Sequence, residues 1–177
     1  MSAKLTGRVI SNRLRQCKLL VLDFDGVLTD NTVTVDEHGT ESVSCSRSDG
    51  LGIEILRMFT DVETLIISSE VNPATVARAK KLKIPAVTGC HDKSQALRKM
   101  IDEKHLKPGA VAYVGNDLND IGCMRIAGIS IAVANSASQV LEIANYVTVA
   151  RGGHGAVREV CEMVVMAKQI DIITLLK

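Results

Sequence analysis

Residues 18–30 read KLLVLDFDGVLTD, and this stretch decides the fold class. Its first part, residues 19–22, is a short apolar run without polar alternation, which is typical of a strand buried on both faces of a parallel sheet. Asp23 and Asp25 follow, and Gly26 then lets the chain turn sharply. Because open α/β sheets bind ligands beyond the carboxyl ends of their strands, the sequence predicts that both carboxylates face one crevice.

Further apolar runs with the character of buried strands lie at residues 62–67, 85–87, 110–114, 129–133 and 146–149. Helices are predicted between them, from apolar residues at helical spacing or a proline near the first turn. Strands that alternate with helices, without an internal repeat, predict one doubly wound α/β domain at residues 18–177. Residues 1–17 are polar and basic, and they are predicted to form an N-terminal extension that is either a short helix or a tether.

The composition excludes several classes of function. Of 177 residues, 21 are Lys or Arg and 20 are Asp or Glu, so the net charge of +1 favours neither nucleic acid nor an anionic membrane as a partner. Five scattered cysteines form no C-x-x-C pair, which indicates reduced thiols in a cytoplasmic protein. No apolar run approaches the length of about 20 residues that a membrane-spanning helix needs.

Residues 32–48 read TVTVDEHGTESVSCSRS and predict a β-hairpin, because β-branched residues alternate with polar ones on both sides of a central Glu-His-Gly. Two short strands cannot form a core alone, so the hairpin must lean on the main body or on another subunit. A helix is expected to start at Asp49 and Gly50.

The candidate site residues also have ordinary structural interpretations. An Asp-x-Asp pair is common in turns and at helix starts. Ser68, after the second strand, would cap the helix that begins near Pro73. A single lysine such as Lys93 usually lies on the surface.

Residues 23–30, DFDGVLTD, resemble the first motif of the haloacid dehalogenase superfamily, most of whose members are phosphatases. The resemblance implies that Asp23 is the nucleophile that forms an aspartyl-phosphate. Asp25 would protonate the leaving oxygen and then activate water. It further implies that Ser68 hydrogen-bonds the transferring phosphoryl group, and that Lys93, in the position of the third motif, neutralises Asp23 and the phosphate.

The stretch GNDLND at residues 115–120 resembles the fourth motif of the same superfamily, Gly-Asp-x-x-x-Asp, which completes a Mg²⁺ site. Asp23 and Asp25 would contribute to this site from the first motif. Asn116 stands where the nearest relatives have an aspartate, so either Asn116 or Asp117 would be the remaining ligand. Both side chains carry the oxygen atoms that Mg²⁺ requires.

Residues 151–159, RGGHGAVRE, resemble a stretch near the end of the 3-deoxy-octulosonate 8-phosphate phosphatases, where it borders the active site. His154 replaces an arginine of that group. The alternative is a flexible linker into a packing helix. Nucleotide-binding loops are excluded, because the glycine spacing is neither G-x-G-x-x-G nor G-x-x-x-x-G-K.

The resemblance as a whole, with the motifs in order, implies a Mg²⁺-dependent sugar-acid phosphatase of the haloacid dehalogenase-like α/β fold that has a hairpin insertion and no cap domain. It also implies a homotetramer in which a neighbouring subunit closes the active site. The substrate would be a nonulosonate 9-phosphate, because Glu70 stands where the octulosonate phosphatases typically carry an arginine. Further candidates for substrate binding are Ser69, Arg78, Lys81 and His154.

Three alternatives stay open at this point. The first is a 3-deoxy-octulosonate 8-phosphate phosphatase. The second is a non-catalytic oligomerisation domain of an acylneuraminate cytidylyltransferase, against which the intact Asp23, Asp25 and Lys93 argue. The third is a phosphoacceptor signalling domain of receiver type, which would not need Asp25 and would leave the hairpin unexplained.

Overall fold

The computed structural model of the protein describes residues 7–171 and 173. Six parallel strands form the main sheet in the order β5-β4-β1-β6-β7-β8, and a separate antiparallel pair, β2 and β3, forms the hairpin. The strands are β1 (Leu19–Leu22), β2 (Thr34–Val35), β3 (Glu41–Ser42), β4 (Glu63–Ile67), β5 (Ala86–Val87), β6 (Val111–Gly115), β7 (Ile129–Ala132) and β8 (Tyr146–Val147). The prediction of a doubly wound parallel sheet is therefore confirmed, with strand ends that differ by one or two residues.

Helices cover both faces of the sheet. They are α1 (Gly7–Arg15), α2 (Arg47–Phe59), α3 (Pro73–Leu82), α4 (Lys93–Glu103), α5 (Ile121–Ile126), α6 (Ser138–Ile143) and α7 (Ala156–Ala167). Within the described residues, no helix combines the length and the apolar character that crossing a membrane would take.

Strand β1 lies at the centre of the sheet, between β4 and β6. Leu20 and Leu22 point into an apolar cluster with α1, α2 and α7, whereas Leu19 and Val21 point into a second cluster with α4, α5 and α6. Both faces of β1 are thus covered by helices, which explains why its sequence is apolar at every position.

The N-terminal extension contains α1 within its described part. Ile10 and Leu14 of this helix are buried and belong to the same apolar cluster as α7. Helical spacing of these two side chains gives α1 one apolar face, and that face packs on the domain.

The hairpin is present but its strands are only two residues long, with Thr34 opposite Ser42 and Val35 opposite Glu41. Its four strand residues are exposed. The next helix, α2, begins at Arg47 rather than at the expected Asp49. The reason is that the Ser46 hydroxyl accepts hydrogen bonds from two main-chain N–H groups of the first helical turn and so caps the helix earlier.

Candidate active site

A cavity of about 280 Å³ lies beyond the carboxyl ends of β1, β4 and β6. This is the edge at which a doubly wound sheet binds its ligands. Eight of the residues singled out in the sequence line it: Asp23, Asp25, Ser68, Ser69, Glu70, Lys93, Asn116 and Asp117. Asn31 and Asn119 line it as well.

Asp23 directly follows β1 and is 3% exposed. Its Oδ1 accepts hydrogen bonds from the main-chain N–H of Phe24 and from Lys93 Nζ, both at 2.7 Å. Burial, followed by the charge of Asp120, raises the pKa of Asp23 to about 7 against the opposing effect of Lys93. A divalent cation beside this carboxylate would favour its charged form and lower the pKa again.

Lys93 is the first residue of α4, which Asp92 caps by accepting from the N–H of Gln95. Its ammonium group is buried and lies 2.9 Å from Asp120 Oδ1 as well as 2.7 Å from Asp23. Burial alone would lower the pKa of Lys93, but the two carboxylates together raise it. The lysine is therefore a fixed positive charge between two aspartates.

Asp120 is fully buried and is the part of the fourth motif to which the sequence analysis gave no role. Its Oδ1 accepts from Lys93 and from the Tyr113 hydroxyl, and its Oδ2 accepts from the main-chain N–H groups of Asn116 and Asp117. Four hydrogen-bond donors thus satisfy the two oxygens of this carboxylate without solvent. A deeply buried aspartate is compatible with the fold only because these donors surround it.

Asp25 is half-buried, and its surroundings favour the protonated form. Burial, followed by the charge of Glu70, raises its pKa, whereas Lys93 and a hydrogen bond with Ser68 act in the opposite direction. A carboxyl group with a raised pKa is suited to general acid and base work.

The interpretation of Ser68 as a helix cap is wrong. The side chain of Asn72 caps α3 by accepting from the N–H of Ala74. The Ser68 hydroxyl instead accepts from the N–H of Glu70 at 3.1 Å and hydrogen-bonds Asp25 inside the cavity. The helix therefore does not need the serine, whose hydroxyl faces the other site residues.

A possible cation site lies between Asp23, Asp25 and Asn116. The side-chain amide of Asn116 presents one atom 3.1 Å from Asp23 Oδ2 and 2.9 Å from the main-chain oxygen of Asp25. If that atom is the nitrogen, it donates to both oxygens. If it is the oxygen, three oxygens face one another, and a cation between them would offset their repulsion.

With the Asn116 oxygen on this side, its distances of 3.1 and 2.9 Å to the two neighbouring oxygens lie near the spacing of ligand oxygens around Mg²⁺. An octahedron with Mg–O distances of about 2.0–2.1 Å has edges of about 2.8–3.0 Å. Within the described residues, no group of three or more His, Cys, Asp or Glu side chains could hold a metal. One carboxylate combined with main-chain and amide oxygens instead leaves room for water and phosphate, as Mg²⁺ prefers.

Asp117 differs from Asn116 in its contacts. Its Oδ1 accepts from the N–H of Leu118 at 2.7 Å, and its side chain forms a capping box with Asp120 at the short 3₁₀ helix Leu118–Asp120. Asp117 lines the cavity but is exposed. The geometry therefore favours Asn116 over Asp117 as the oxygen donor next to Asp23.

The first-motif loop, residues 23–30, packs tightly against Asn116. The Thr29 hydroxyl oxygen accepts from the N–H groups of Gly26 and Asn31, at 3.0 and 3.3 Å. Gly26 has a φ of +86°, and a Cβ on it would lie 2.1 Å from the Asn116 amide. Only glycine fits here, because the position needs both a left-handed backbone and close approach.

Residues 151–155 pack against the same loop and are not a loose linker. Gly152 and Gly153 are buried, and the N–H of Gly153 donates to Val27 O at 3.0 Å. On the other side, buried Asp49 of α2 accepts from the N–H groups of Gly155 and Arg158 at the start of α7. The segment is thus held between the first-motif loop and α2.

Three of the candidate substrate-binding residues lie outside the cavity lining. Arg78 donates to the main-chain oxygen of Ser46, and Lys81 lines a different, smaller cavity. His154 is exposed and lies near Asp30, whose pKa is lowered mainly by hydrogen bonds from Thr32 and to a smaller extent by His154. Their part in substrate binding stays a prediction.

Two lining residues, Asn31 and Asn119, had no sequence signal that set them apart. Asn31 has a φ of +68°, which only the folded loop reveals. Asn119 donates to the Ser69 hydroxyl at 3.2 Å and so joins the loops after β6 and β4. Both side chains add neutral hydrogen-bonding groups to the cavity.

The parallel sheet and the polar cavity at its carboxyl edge fit a hydrolase of the α/β class. The family described as haloacid dehalogenase-like hydrolase matches residues 54–159. The 3-deoxy-D-manno-octulosonate 8-phosphate phosphatase of Yersinia pestis is 34% identical over 160 residues, which cover 90% of this chain and 85% of that protein. The chain belongs to the haloacid dehalogenase-like hydrolase family, and it is a phosphatase.

Two solved structures are similar over most of the chain. The 3-deoxy-D-manno-octulosonate 8-phosphate phosphatase of Moraxella catarrhalis, in complex with a magnesium ion, a phosphate ion and a KDO molecule, has a TM-score of 0.92 at 32% identity, covering 96% of this chain and 99% of its own. A HAD family hydrolase of Streptomyces avermitilis has a TM-score of 0.83 at 43% identity, covering 86% and 87% of the respective chains.

Proposed function

We propose that the protein is a Mg²⁺-dependent phosphomonoester hydrolase that acts on a sugar-acid phosphate through an aspartyl-phosphate. One observation carries the proposal. The buried Lys93 ammonium is hydrogen-bonded to Asp23 in a cavity that also contains Asp25 and Ser68. The ligand-binding edge of the sheet thus brings together the proposed nucleophile, its counter-charge, a proton donor and a hydroxyl.

In the first step, a carboxylate oxygen of Asp23 attacks phosphorus and the bond from phosphorus to the sugar oxygen breaks. Asp25, whose raised pKa favours the protonated form, gives its proton to the leaving sugar oxygen. Lys93 and the Ser68 hydroxyl offset the negative charge that builds up on the phosphoryl oxygens. The products are the free sugar acid and an aspartyl-phosphate on Asp23.

In the second step, Asp25 is a carboxylate and takes a proton from a water molecule, whose oxygen attacks the same phosphorus. The bond between phosphorus and Asp23 breaks, so inorganic phosphate leaves and both aspartates return to their starting states. Asp25 can serve in both steps because it lies two residues from Asp23, beyond the end of the same strand.

The cofactor is Mg²⁺, and Asp23, the main-chain oxygen of Asp25 and Asn116 would hold it. When bound, it neutralises charge on the phosphate and on Asp23, which otherwise repel each other. With Asn116 as the third donor, the site has one negative charge fewer than a site with two aspartates.

For the substrate, we favour a nonulosonate 9-phosphate, on the basis of Glu70. This side chain lies at the cavity and would repel a sugar carboxylate while accepting hydrogen bonds from hydroxyl or amide groups. Among the described residues that line the cavity, Lys93 is the only cation, and it already holds Asp23 and Asp120. A substrate carboxylate would therefore need a cation from outside this lining.

A second candidate substrate is 3-deoxy-octulosonate 8-phosphate. The names of the Yersinia pestis and Moraxella catarrhalis relatives favour it. Both candidates are sugar acids with a phosphorylated terminal carbon, so both fit the chemistry of Asp23 and Asp25. Selectivity between them would depend on contacts between the cavity and the rest of the sugar.

The test is phosphate release with Mg²⁺ from both sugar phosphates, in the parent and in Glu70→Arg. Glu70→Gln is the matched control that removes the charge without adding a cation, and Asp23→Asn, which cannot attack phosphorus, gives the background rate. We expect the parent to have the higher kcat/KM for the nonulosonate, and Glu70→Arg to shift the ratio towards the octulosonate by about tenfold, equivalent to about 1.4 kcal/mol.

A parent that favours the octulosonate would reverse the choice of substrate. A ratio that Glu70→Arg leaves unchanged would remove Glu70 as the discriminating residue. Release from neither substrate above the Asp23→Asn background would contradict the sugar-acid proposal itself.

We also propose that a neighbouring copy in a homotetramer closes the cavity. Exclusion of water strengthens the electrostatic interactions in such a site, and residues 7–171 contain no cap domain that could cover it. Val33 and Val35 of the hairpin support the idea, because they are 54% and 55% exposed. Burying them against another copy would remove apolar surface from water.

A further inference from the structure

Tyr113 lies in the middle of β6 and is fully buried. Its ring belongs to the apolar cluster formed with α4, α5 and α6, and it does not line the cavity. Its hydroxyl donates to Asp120 Oδ1 at 2.7 Å. A buried tyrosine needs a partner for its hydroxyl, but here the partner is a carboxylate that also holds a residue of the proposed active site.

Asp120 connects two parts of that site. Through Oδ1 it accepts from Tyr113 and, at 2.9 Å, from Lys93. Through Oδ2 it accepts from the N–H of Asn116 at 2.8 Å, and so fixes the residue that faces Asp23 and Asp25. A small rotation of this carboxylate would therefore move the lysine and the Asn116 loop together.

We propose that Tyr113 is a positioning residue for the phosphatase reaction: its hydroxyl fixes the Asp120 carboxylate so that Lys93 is shared between Asp120 and Asp23. The inference rests on the proposed function of Asp23 and Lys93. It assigns Tyr113 no contact with substrate.

The physical reason is competition for one oxygen atom. Asp120 Oδ1 divides its negative charge between the Tyr113 hydroxyl and the Lys93 ammonium. Without the hydroxyl, Lys93 would be the only side-chain donor to that oxygen, in surroundings where charge is poorly screened. The ammonium would then be drawn towards Asp120 and away from Asp23, where the phosphoryl group is transferred.

The experiment compares Tyr113→Phe with Tyr146→Phe. The chain has two tyrosines, and the hydroxyl of Tyr146 donates to a carboxylate too, Glu159 Oε1 at 2.8 Å, away from the cavity lining. Each variant therefore loses one tyrosine–carboxylate hydrogen bond, but only one of them loses it next to Lys93. The readouts are kcat and KM for p-nitrophenyl phosphate with saturating Mg²⁺, the Ki of inorganic phosphate, and the folded fraction.

We expect Tyr113→Phe to lower kcat at least tenfold per folded molecule and to raise the Ki of phosphate, because Lys93 no longer faces the phosphoryl site. Tyr146→Phe should stay within twofold of the parent in both values. Equal losses in the two variants, or an unchanged kcat and Ki in Tyr113→Phe, would overturn the inference.

A double-mutant cycle adds a second measurement, which does not depend on the size of the single effect. If Tyr113 acts through Asp120, then Tyr113→Phe should lower kcat little further in an Asp120→Asn background. Full additivity of the two losses would overturn the inference. A parent that releases phosphate neither from p-nitrophenyl phosphate nor from the two sugar-acid phosphates above the Asp23→Asn background would contradict the proposed function instead, so the two failures are distinguishable.

Discussion

Replacing Gly152 with alanine should disable the active site without touching a catalytic group. A Cβ at this position would lie 1.8 Å from the main-chain oxygen of Gly26 and 2.7 Å from its carbonyl carbon. The φ of Gly152 is not in the left-handed region, so the backbone itself tolerates alanine. The expected damage therefore comes from the collision alone.

The size of the effect follows from the displacement. Real Cβ contacts stay beyond 3.0 Å, so the two segments must separate by about 1.2 Å from 1.8 Å. Neither side yields easily, because the N–H of Gly152 is held by Asn135 and the N–H of Gly153 by Val27. A displacement of about 1 Å in a positioned site costs on the order of 100-fold in rate. Overpacking of this kind also destabilises by about 1–3 kcal/mol.

The assay combines steady-state hydrolysis of p-nitrophenyl phosphate with thermal unfolding. For Gly152→Ala we expect kcat to fall about 100-fold, and Tm to fall by roughly 2–12 °C for a domain of this size. Gly109→Ala is the matched control, because a Cβ there meets nothing within 4 Å. A kcat within threefold of the parent in Gly152→Ala would refute the packing of residues 151–155 against the first-motif loop.

Two further predictions concern the metal and the assembly. Asn116→Asp places a second carboxylate beside Asp23, so it should tighten Mg²⁺ binding about tenfold in calorimetric titration. It should also lower the Tm of the metal-free protein, because the two carboxylates repel each other. Weaker or unchanged Mg²⁺ binding would argue against Asn116 as a ligand. In sedimentation at assay concentration, the active species should be a tetramer, and an active monomer would contradict closure of the cavity by a neighbouring copy.

Local sequence patterns predicted much of the fold and of the site. The uninterrupted apolar residues 19–22 predicted a strand covered on both faces, and β1 has helices on both sides. Asp23 and Asp25 were found because two carboxylates follow a buried strand, whereas Ser68 and Lys93 were assigned roles from the resemblance to the second and third motifs of the superfamily. The alternation of strands and helices alone brings these positions to one cavity.

Other features depend on contacts between residues that are distant in sequence. Ser46, the cap of α2, was missed in favour of Asp49, whose side chain instead accepts from N–H groups at the start of α7. The role of Asp120 depends on Tyr113 and Lys93, which reach it from another strand and another helix. The Gly152 contact with Gly26 joins segments more than 120 positions apart.

By itself, then, the sequence determined the elements, their order and the chemical groups at the strand ends, because hydrophobic period and turn chemistry act over a few residues. Only the tertiary structure decided which of those groups lie within hydrogen-bond or ion-pair distance of one another. In the folded protein the Asn116 amide contacts Asp23, and Asp120 forms an ion pair with Lys93. Arg78 donates to the main-chain oxygen of Ser46. Hydrogen bonds and charge interactions fall off within a few ångströms, so they depend on distances that exist only after the chain has packed.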